Sequence, residues 1–298
     1  MAILAAFSSR SFAGYTFTTL DAPGATPGKT YATGIDGSTV VGYYVNATGT
    51  HGFSETNGVY TTLNDPKAIS TTYVYGISGS TIVGWYGDAV GSHGFTETGG
   101  VYTTLDDPTA TPGQTFVRGI SGSTVVGYYW NNGTGYSGFK ESGNVYQTLN
   151  DPFGSSGSTR VYGISSTTAV GWFIDTGGAS HGLTVTSANL WTTWTEPNSA
   201  GSTNINGIDG ATMVGWYMDH SGLGHGFIES GGTYTTIDDP AGNPGTTTAY
   251  GVSGSTIVGV FTDATGDHGF IATVPEPGSV AILGVGAVTM VRRRRRKS

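Results

Sequence analysis

Cysteine is missing from all 298 residues of the chain, and charged residues make up only 11% of it. The lack of cysteine excludes disulfide bridges, thiolate catalysis and cysteine-ligated zinc. The fold must therefore be held by its apolar core, and about three quarters of the unfolded surface can be buried at this length. Long apolar stretches with a helical period are also missing before residue 278, which disfavours a helical architecture.

Basic residues are few and unevenly placed. Only 12 lysines and arginines occur against 20 acidic residues, and half of the basic ones form a single run at residues 292–297. The rest of the chain is therefore strongly acidic. Nucleic-acid binding needs lysine and arginine opposite the phosphates, so nucleic acid is excluded as a partner.

Glycine is abundant, at 51 residues, and it is periodic. Six copies of one repeat align on three anchors, with a period of about 43 residues. The first anchor is a Gly-Ile or Gly-Val pair, at Gly34, Gly76, Gly119, Gly163, Gly207 and Gly251. The second is the glycine of a strand such as VVGYY, at Gly42, Gly84, Gly127, Gly171, Gly215 and Gly259. The third is the tripeptide HGF or a variant of it, at His51, His93, Ser137, His181, His225 and His268.

Each repeat divides into four short strands. In the second copy they are YVYGIS (73–78), STIVGWY (80–86), HGFTET (93–98) and VYTTL (101–105). Short glycine turns join the outer pairs as hairpins. Pro108 and Pro112 interrupt the connector that follows, so it does not continue the ladder. This pattern, with its period, predicts an all-β fold, a six-bladed β-propeller; an open β-solenoid is the alternative.

The two ends of the repeat domain, residues 15–273, complement one another. The sixth repeat lacks its fourth strand, because HGFIAT (268–273) runs directly into the tail. The missing strand is present as YTFTTL (15–20), and its pairing with HGFIAT would close the ring. Closure would remove an exposed sheet edge.

The glycine of the second strand has a predicted packing role. We expect Gly42 and its equivalents to leave room for a large aromatic side chain of the next blade. On that reading, Gly42→Val overpacks the interface by roughly 1–3 kcal/mol.

Residues 274–298 form a distinct tail. Pro275, Glu276 and Pro277 precede a charge-free apolar stretch, residues 278–291, and the chain ends on Arg292, Arg293, Arg294, Arg295, Arg296, Lys297 and Ser298. As a helix, the apolar stretch spans about 21 Å, short of a hydrocarbon core of about 30 Å. The basic run belongs on the cytoplasmic side, which places the repeats outside.

The order of these parts resembles a PEP-CTERM sorting signal. The resemblance implies recognition by an exosortase, a membrane-bound intermediate held by the short C-terminal transmembrane helix, removal of the tail, and a final location at the cell surface or in an extracellular matrix. A plain C-terminal membrane anchor is the alternative.

The repeats themselves are similar to the HAF family of extracellular repeats. The similarity rests on the tripeptide HGF, which is followed by GxYTTLDDP and by GIS…IVGxY. The resemblance covers nearly all of residues 15–273 and implies an extracellular location without a known chemistry. The alanine usual in the family's tripeptide is glycine here.

Residues 1–14, with AILAAF as their apolar core, are interpreted either as a truncated signal peptide or as a disordered chain end.

The repeated polar residues are candidates for chemistry. His51, His93, His181, His225 and His268 recur once per blade, too far apart for one metal site, and are expected to bond a backbone or hydroxyl group within their own blade. The LDDP and LNDP corners predict Asx turns, and with the loop residues Asp88, Asp175, Asp219 and Asp263 they leave weak Ca²⁺ binding as an alternative. The glutamates after HGF (Glu55, Glu97, Glu141 and Glu229) are expected to be solvated.

No nucleophile, zinc or nucleotide motif occurs in the sequence. We therefore expect no enzyme and no cofactor, but a structural or interaction domain. A glycan-binding propeller that recognises extracellular polysaccharide is the alternative, with Trp130, Trp191 and Trp194 as candidate stacking residues. A polysaccharide-active hydrolase is the least favoured reading.

Overall fold

The computed structural model describes residues 9–12 and 14–273, and these residues form β-strands and turns without a helix. Threonine, valine, isoleucine and tyrosine dominate the strands, as their preference for pleated, half-buried surfaces predicts. Within the described residues, no helix is long and apolar enough to cross a bilayer. The tail beyond residue 273, with its predicted helix, lies outside the described part of the chain.

Each of the first five sequence repeats folds as a four-stranded antiparallel meander, here called a unit. Unit 1 contains β3 (Thr30–Asp36), β4 (Thr39–Asn46), β5 (Gly49–Thr56) and β6 (Val59–Leu63). Unit 2 contains β7 (Thr71–Ser78), β8 (Thr81–Gly87), β9 (Ser92–Thr98) and β10 (Val101–Leu105). Unit 3 contains β11 (Thr115–Ser121), β12 (Thr124–Asn131), β13 (Gly135–Ser142) and β14 (Val145–Leu149). Unit 4 contains β15 (Arg160–Ser165), β16 (Thr168–Ile174), β17 (Ser180–Thr186) and β18 (Trp191–Trp194). Unit 5 contains β19 (Ser199–Asp209), β20 (Thr212–Asp219), β21 (Gly224–Ser230) and β22 (Thr233–Ile237).

Unit 6 combines both ends of the repeat domain. It contains β23 (Thr248–Ser253), β24 (Thr256–Asp263), β25 (Gly266–Thr273) and, as fourth strand, β2 (Tyr15–Leu20). The β2–β25 pairing is antiparallel and runs from Thr16 opposite Thr273 to Leu20 opposite Gly269. A further strand, β1 (Ser9–Phe12), pairs with β2. The sequence does not predict β1, which lies within the segment interpreted as a leader; that interpretation stays a prediction.

Neighbouring units touch through one recurring parallel bridge between a third strand and the chain just before or within the next first strand. In units 1–2 and 4–5 the bridge joins the meanders into two eight-stranded sheets. The bridged pairs are Thr50–Thr71, Ser92–Gln114, Tyr136–Ser158, Ser180–Ser202, Gly224–Thr246 and Asp267–Lys29. The last pair links unit 6 to the segment that leads into unit 1.

The apolar core is divided into clusters that lie between successive units. Each cluster receives one fully buried valine from the second strand of the preceding unit. These are Val41, Val83, Val126, Val170, Val214 and Val258. Val258 of unit 6 packs with Val40 and Phe53 of unit 1, so the first and last units share a core in the same way as consecutive ones.

The meander gives every unit two distinct ends. The turn between the first and second strands and the turn between the third and fourth strands lie at one end, which we call the hairpin side. The loop between the second and third strands lies at the opposite end with the connector to the next unit, and we call this end the connector side.

Candidate functional site

A β-bulge in each first strand builds the most distinctive site of the molecule. The register shifts by one residue at the same place in every unit, for example between Ala32 and Gly34. A bulge leaves one residue unpaired and re-aims its side chain. The six unpaired residues, here called the bulge residues, are Thr33, Tyr75, Arg118, Tyr162, Asn206 and Tyr250.

The bulge residues all line one cavity of about 100 Å³, together with the Gly-Ile or Gly-Val pair that follows each of them. We call it the central cavity. It lies where the first strands of all units come together. The sequence pattern reveals the Gly-Ile anchor, and the variation of the residue before it between otherwise constant neighbours is the signal that marks the bulge position.

The glycine of the Gly-Ile anchor allows the first strands to approach one another closely. A Cβ on Gly34 would lie 2.6 Å from the carbonyl oxygen of Tyr75, and one on Gly251 would lie 3.1 Å from Cα of Gly34. The same approach recurs between the successive anchor glycines of the intervening units. A side chain at these positions would force the strands apart.

Two of the bulge residues are engaged by the backbone. Thr33 Oγ1 donates a hydrogen bond to the Val74 carbonyl at 2.8 Å, and Asn206 Nδ2 donates to the Ala249 carbonyl at 2.9 Å. Both bonds cross to the next unit. These side chains therefore fasten neighbouring units, and the remaining four are the ones that give the cavity its chemistry.

Arg118 is the single charged bulge residue. Its guanidinium carbon lies 3.9 Å from the ring centroid of Tyr75 and 5.1 Å from that of Tyr162. Its Nη2 donates to the hydroxyl of Tyr128 at 2.6 Å. Aromatic faces attract a cation, most strongly where water is excluded. Arg118 forms no ion pair with any carboxylate of the described residues.

The cavity tyrosines remain protonated at neutral pH. Burial raises the pKa of Tyr75 to about 12, against the opposing effect of Arg118, and burial likewise raises the pKa of Tyr250 to about 12. Each hydroxyl therefore keeps a proton to donate and lone pairs to accept.

Aromatic side chains form a continuous arc on the connector side of the central cavity. In four units, the directly opposed residues of the first and second strands stack: Tyr31–Tyr43, Tyr73–Trp85, Phe116–Tyr128 and Arg160–Trp172. Contacts between units connect them, such as Tyr43–Tyr73 with ring centroids 4.8 Å apart. Trp130 extends the arc outward by an edge contact with Tyr136 at 4.7 Å. We call this set the aromatic arc.

The repeated histidines bridge two loops on the connector side. In unit 5, His225 Nδ1 lies 2.8 Å from Asp238 of the corner, and Nε2 lies 3.4 Å from Asp219 of the loop between the second and third strands. In unit 1 the equivalent partners of His51 are neutral: Asn64, Asn46 and Thr48. The same bridging recurs at His93, His181 and His268. Most partners are carboxylates, and not the backbone or hydroxyl groups that the sequence predicts.

The two residues of each LDDP or LNDP corner have different tasks. The second one makes the predicted Asx turn: Asp65 is buried and accepts the Lys67 amide at 2.8 Å. Its own amide donates to Thr72 Oγ1 at 3.1 Å. The first one, such as Asp106 or Asp238, instead contacts the histidine. The sequence pattern of the corners does not indicate this contact.

The glutamates that follow HGF are buried, so the expectation that they are solvated is wrong. Glu55 is 4% exposed and accepts the Gly58 amide at 2.5 Å. Glu97, Glu141 and Glu229 accept the equivalent amide in their own hairpins. They cap the tight turn between the third and fourth strands. Burial raises the pKa of Glu55, against the opposing effect of the Gly58 hydrogen bond.

The glycine of the second strand also has a different neighbour from the expected one. A Cβ on Gly42 would lie 2.0 Å from the carbonyl oxygen of Tyr31 and 3.0 Å from the ring of Phe53. Both belong to the same unit. The constraint therefore comes from the bulged first strand across the ladder, and not from an aromatic side chain of the next unit. The same carbonyl contact recurs at Gly84, Gly127, Gly171, Gly215 and Gly259.

Two of the candidate stacking tryptophans are engaged in the core. Trp191 packs against the cluster between units 3 and 4. Trp194 packs against the one between units 4 and 5 and donates from Nε1 to Thr184 Oγ1 at 3.1 Å. Over residues 9–12 and 14–273, no group of three or more histidine, aspartate or glutamate side chains is arranged to hold a metal ion; weak Ca²⁺ binding stays a prediction.

The tail directly follows the last described strand, β25. Residues 273–296 match the PEP-CTERM protein-sorting motif. This confirms the resemblance seen at Pro275, Glu276 and Pro277. The PEP-CTERM signal implies export, a membrane-associated intermediate and processing by an exosortase. None of the curated proteins compared with the chain matches it.

Solved structures share the architecture at low identity. An oligogalacturonate lyase in complex with manganese aligns at a TM-score of 0.55 and 12% identity, over 92% of this chain and 97% of that one. TolB from Acinetobacter baumannii aligns at 0.53 and 10%, over 80% and 65%. Trypanosoma rangeli sialidase aligns at 0.53 and 9%, over 96% and 62%. The chain thus spans less than two thirds of the latter two. The likeness shows the fold alone, which is all-β and β-propeller-like.

Proposed function

We propose that this chain is an exported bacterial surface or extracellular-matrix protein, whose repeat domain is a structural or interaction module delivered by its PEP-CTERM signal. The observation that carries the proposal is the sorting motif at residues 273–296. It begins at the last residue of β25, so the signal is attached to a completed β domain. The resemblance of the repeats to HAF extracellular repeats agrees with this location.

The domain is, on this proposal, a closed six-bladed propeller. Three features support closure: β2 pairs with β25, the Asp267–Lys29 bridge repeats the bridges between consecutive units, and Gly251 approaches Gly34 as the other anchor glycines approach one another. An open solenoid would leave the first strand of unit 1 and the last core face without partners.

We further propose that the domain is not an enzyme and works without a cofactor. The repeated titratable groups have structural partners: the histidines bridge loops, the glutamates cap hairpins and the second corner aspartates form Asx turns. Catalytic carboxylates of a glycosidase would need to face each other across about 5–10 Å of open cleft. Here the equivalent glutamates are in different units.

Polysaccharide binding is the second candidate, and the aromatic arc is the observation that favours it. Its rings other than the buried Tyr128 are partly exposed, and Trp130 at its outer end is held by Tyr136 and by a hydrogen bond from Nε1 to Asn132. Rigid aromatic side chains offer contact area at low entropic cost.

The sorting proposal is tested by the C-terminal mass of the protein recovered from the surface or medium of the native cells. We expect a C-terminus near residues 275–277. A variant with Pro275, Glu276 and Pro277 changed to alanine should keep its tail and stay with the membrane. Pro197→Ala, in an exposed loop, is the matched control and should be processed normally. An intact tail on the wild-type protein in the membrane fraction would instead identify a plain anchor and overturn the exosortase proposal.

Polysaccharide binding is tested by retention of the protein on matrix polysaccharide from the same cells. Trp130→Ala should release it, whereas Phe153→Ala, which removes an exposed ring outside the arc, should not. Equal retention of both variants and the wild type would reject the aromatic arc as a glycan site.

A further inference from the structure

Among the described residues, Arg118 of the central cavity has no anionic partner. Tyr128 is the acceptor of its one hydrogen bond to the described residues, while its Nε–H is buried and unpartnered. A guanidinium has five N–H donors. Most of them are therefore free to bond a group that enters the cavity, and the rest of the wall supplies no charge to oppose an anion.

Burial makes this charge costly, and the ring contacts oppose that cost. Stacking on Tyr75 is favourable, most of all where water is excluded, whereas taking an ion out of water is unfavourable unless its donors are hydrogen-bonded. Hydrogen bonding to a carboxylate in a paired, planar geometry is the usual way to recover that cost. Asp267 is the carboxylate whose charge influences Tyr250, but Tyr31 donates to it at 2.6 Å and Lys29 lies 3.8 Å from it.

Two tyrosines of the cavity wall, Tyr75 and Tyr250, lie within the electrostatic influence of Arg118 and carry hydroxyl groups. Tyr75 and Tyr250 are bulge residues like Arg118, so their side chains enter the same space from neighbouring and opposing units. Among the described residues, neither hydroxyl makes a hydrogen bond. Each can therefore donate to an oxygen that Arg118 also binds.

The dimensions limit what can enter. A single water needs about 10–15 Å³ of such space, and a drug-sized ligand occupies roughly 300 Å³ or more. The central cavity, at about 100 Å³, holds a group of a few heavy atoms. A single positive charge further favours a singly charged group over a doubly charged one.

We propose that the central cavity is a binding site for one carboxylate group, held by Arg118 with help from the hydroxyls of Tyr75 and Tyr250. The carboxylate comes either from a small free acid or from an acidic sugar whose ring stays outside the cavity. The site does not depend on the sorting signal, so it can fail or hold independently of the proposed export.

The test follows the arginine Nε–H resonances of the full-length protein labelled with ¹⁵N, during titration with sodium formate against sodium chloride at the same ionic strength. We expect one resonance, absent in Arg118→Met, to shift and saturate with formate. In the variants, which lack this resonance, formate binding is followed by the backbone amide resonances of the cavity glycines Gly76 and Gly119. By that readout Arg118→Lys should retain part of the affinity, and Arg118→Met should weaken it by about tenfold or more, as expected for a lost charge-assisted pair. Arg160→Met is the matched control, because Arg160 stacks on Tyr136 and Trp172 but does not line the cavity.

Sodium glucuronate separates the two sources of the carboxylate. A saturable shift of the same resonance would identify an acidic sugar, and no shift with glucuronate would restrict the ligand to a small free acid. A response to formate that does not saturate, or that matches chloride, overturns the proposal. The same conclusion follows if Arg118→Lys and Arg118→Met bind formate as the wild type does. Should Arg118→Met fail to fold, the wild-type titration and the Arg118→Lys variant still show whether Arg118 binds a carboxylate.

Discussion

Nδ1 of His225 lies 2.8 Å from Oδ2 of Asp238, so the third strand of unit 5 is fastened to the connector that leaves the unit. Asp219 approaches the other ring nitrogen and is itself held by the amides of Ser221 and Leu223. The histidine thus ties together two loops that the sheet alone leaves free. His51 makes the corresponding contacts in unit 1 with neutral partners.

This difference predicts a pH-dependent stability. Burial lowers the pKa of His225, but the hydrogen bonds and charges of Asp238 and Asp219 outweigh it and raise the pKa above its usual value. A raised pKa means that the stabilisation is complete below about pH 6.5 and is lost as the pH rises through the higher folded value. His225→Asn should therefore lower the free energy of unfolding more at pH 5.5 than at pH 8.5. The difference should be up to about 1 kcal/mol, as for other partly exposed charge pairs.

Urea unfolding at the two pH values measures the effect. His51→Asn is the internal control, because the partners of His51 are the neutral side chains of Asn46, Thr48 and Asn64. The prediction fails if the cost of His225→Asn is the same at both pH values, or if His51→Asn shows an equal dependence.

Gly42→Ala should destabilise the domain by at least about 3 kcal/mol, at or beyond the upper end of ordinary overpacking. The added Cβ would meet the Tyr31 carbonyl at 2.0 Å, and that oxygen belongs to the backbone of the bulged strand and cannot rotate away. Gly133→Ala is the control. Its Cβ would meet its nearest neighbour at 3.4 Å in an exposed loop, so a change within about 0.5 kcal/mol is expected. Denaturant midpoints that do not separate the two variants would contradict the role of the bulge.

The sequence predicted the strands well because their signals are local. Val41 and its equivalents, the hairpin glycines and the strand at Tyr15–Leu20 stand in a period that six copies make unambiguous. The pairing of β2 with β25 followed from counting strands per repeat, without any long-range information.

The central cavity could not be predicted in the same way. A bulge adds one residue to a strand without a turn residue to announce it, so Arg118 looked like an ordinary strand position. Only the register against β12, which shifts between Val117 and Gly119, reveals that it is unpaired. Glu55 was misjudged for a related reason: its burial depends on the geometry of a hairpin turn, whereas strand alternation alone allowed a solvated side chain.

Glu55 gives a prediction in which charge and hydrogen bonding are separated. Glu55→Gln keeps an oxygen that can accept the Gly58 amide, and it removes the ionisation that burial disfavours. Because the raised pKa makes the folded state lose stability as the glutamate ionises, this variant should be as stable as the wild type or more stable at pH 7. Glu55→Ala should lose about 1–3 kcal/mol, since a buried amide is left without a partner. Unfolding at pH 7 tests both, and a glutamine variant as unstable as the alanine variant would contradict this account.

Phe17 provides the test of ring closure. It is 2% exposed on β2 and its ring lies 5.6 Å from that of Phe270 on β25, so the N-terminal strand contributes a core side chain to the last unit. Phe17→Ala should cost about 3–5 kcal/mol, and hydrogen exchange should accelerate first in β25 and β24, which β2 covers. Phe153→Ala, at a side chain that is 64% exposed, is the matched control and should change stability little. If the two variants unfold alike, or if β25 stays protected when β2 is loosened, the N-terminal strand does not hold the first and last units together. In a closed ring every unit has a neighbour on both sides. The loss of hydrogen-exchange protection in Phe17→Ala should then also reach unit 1, through the core that Val258 shares with Phe53.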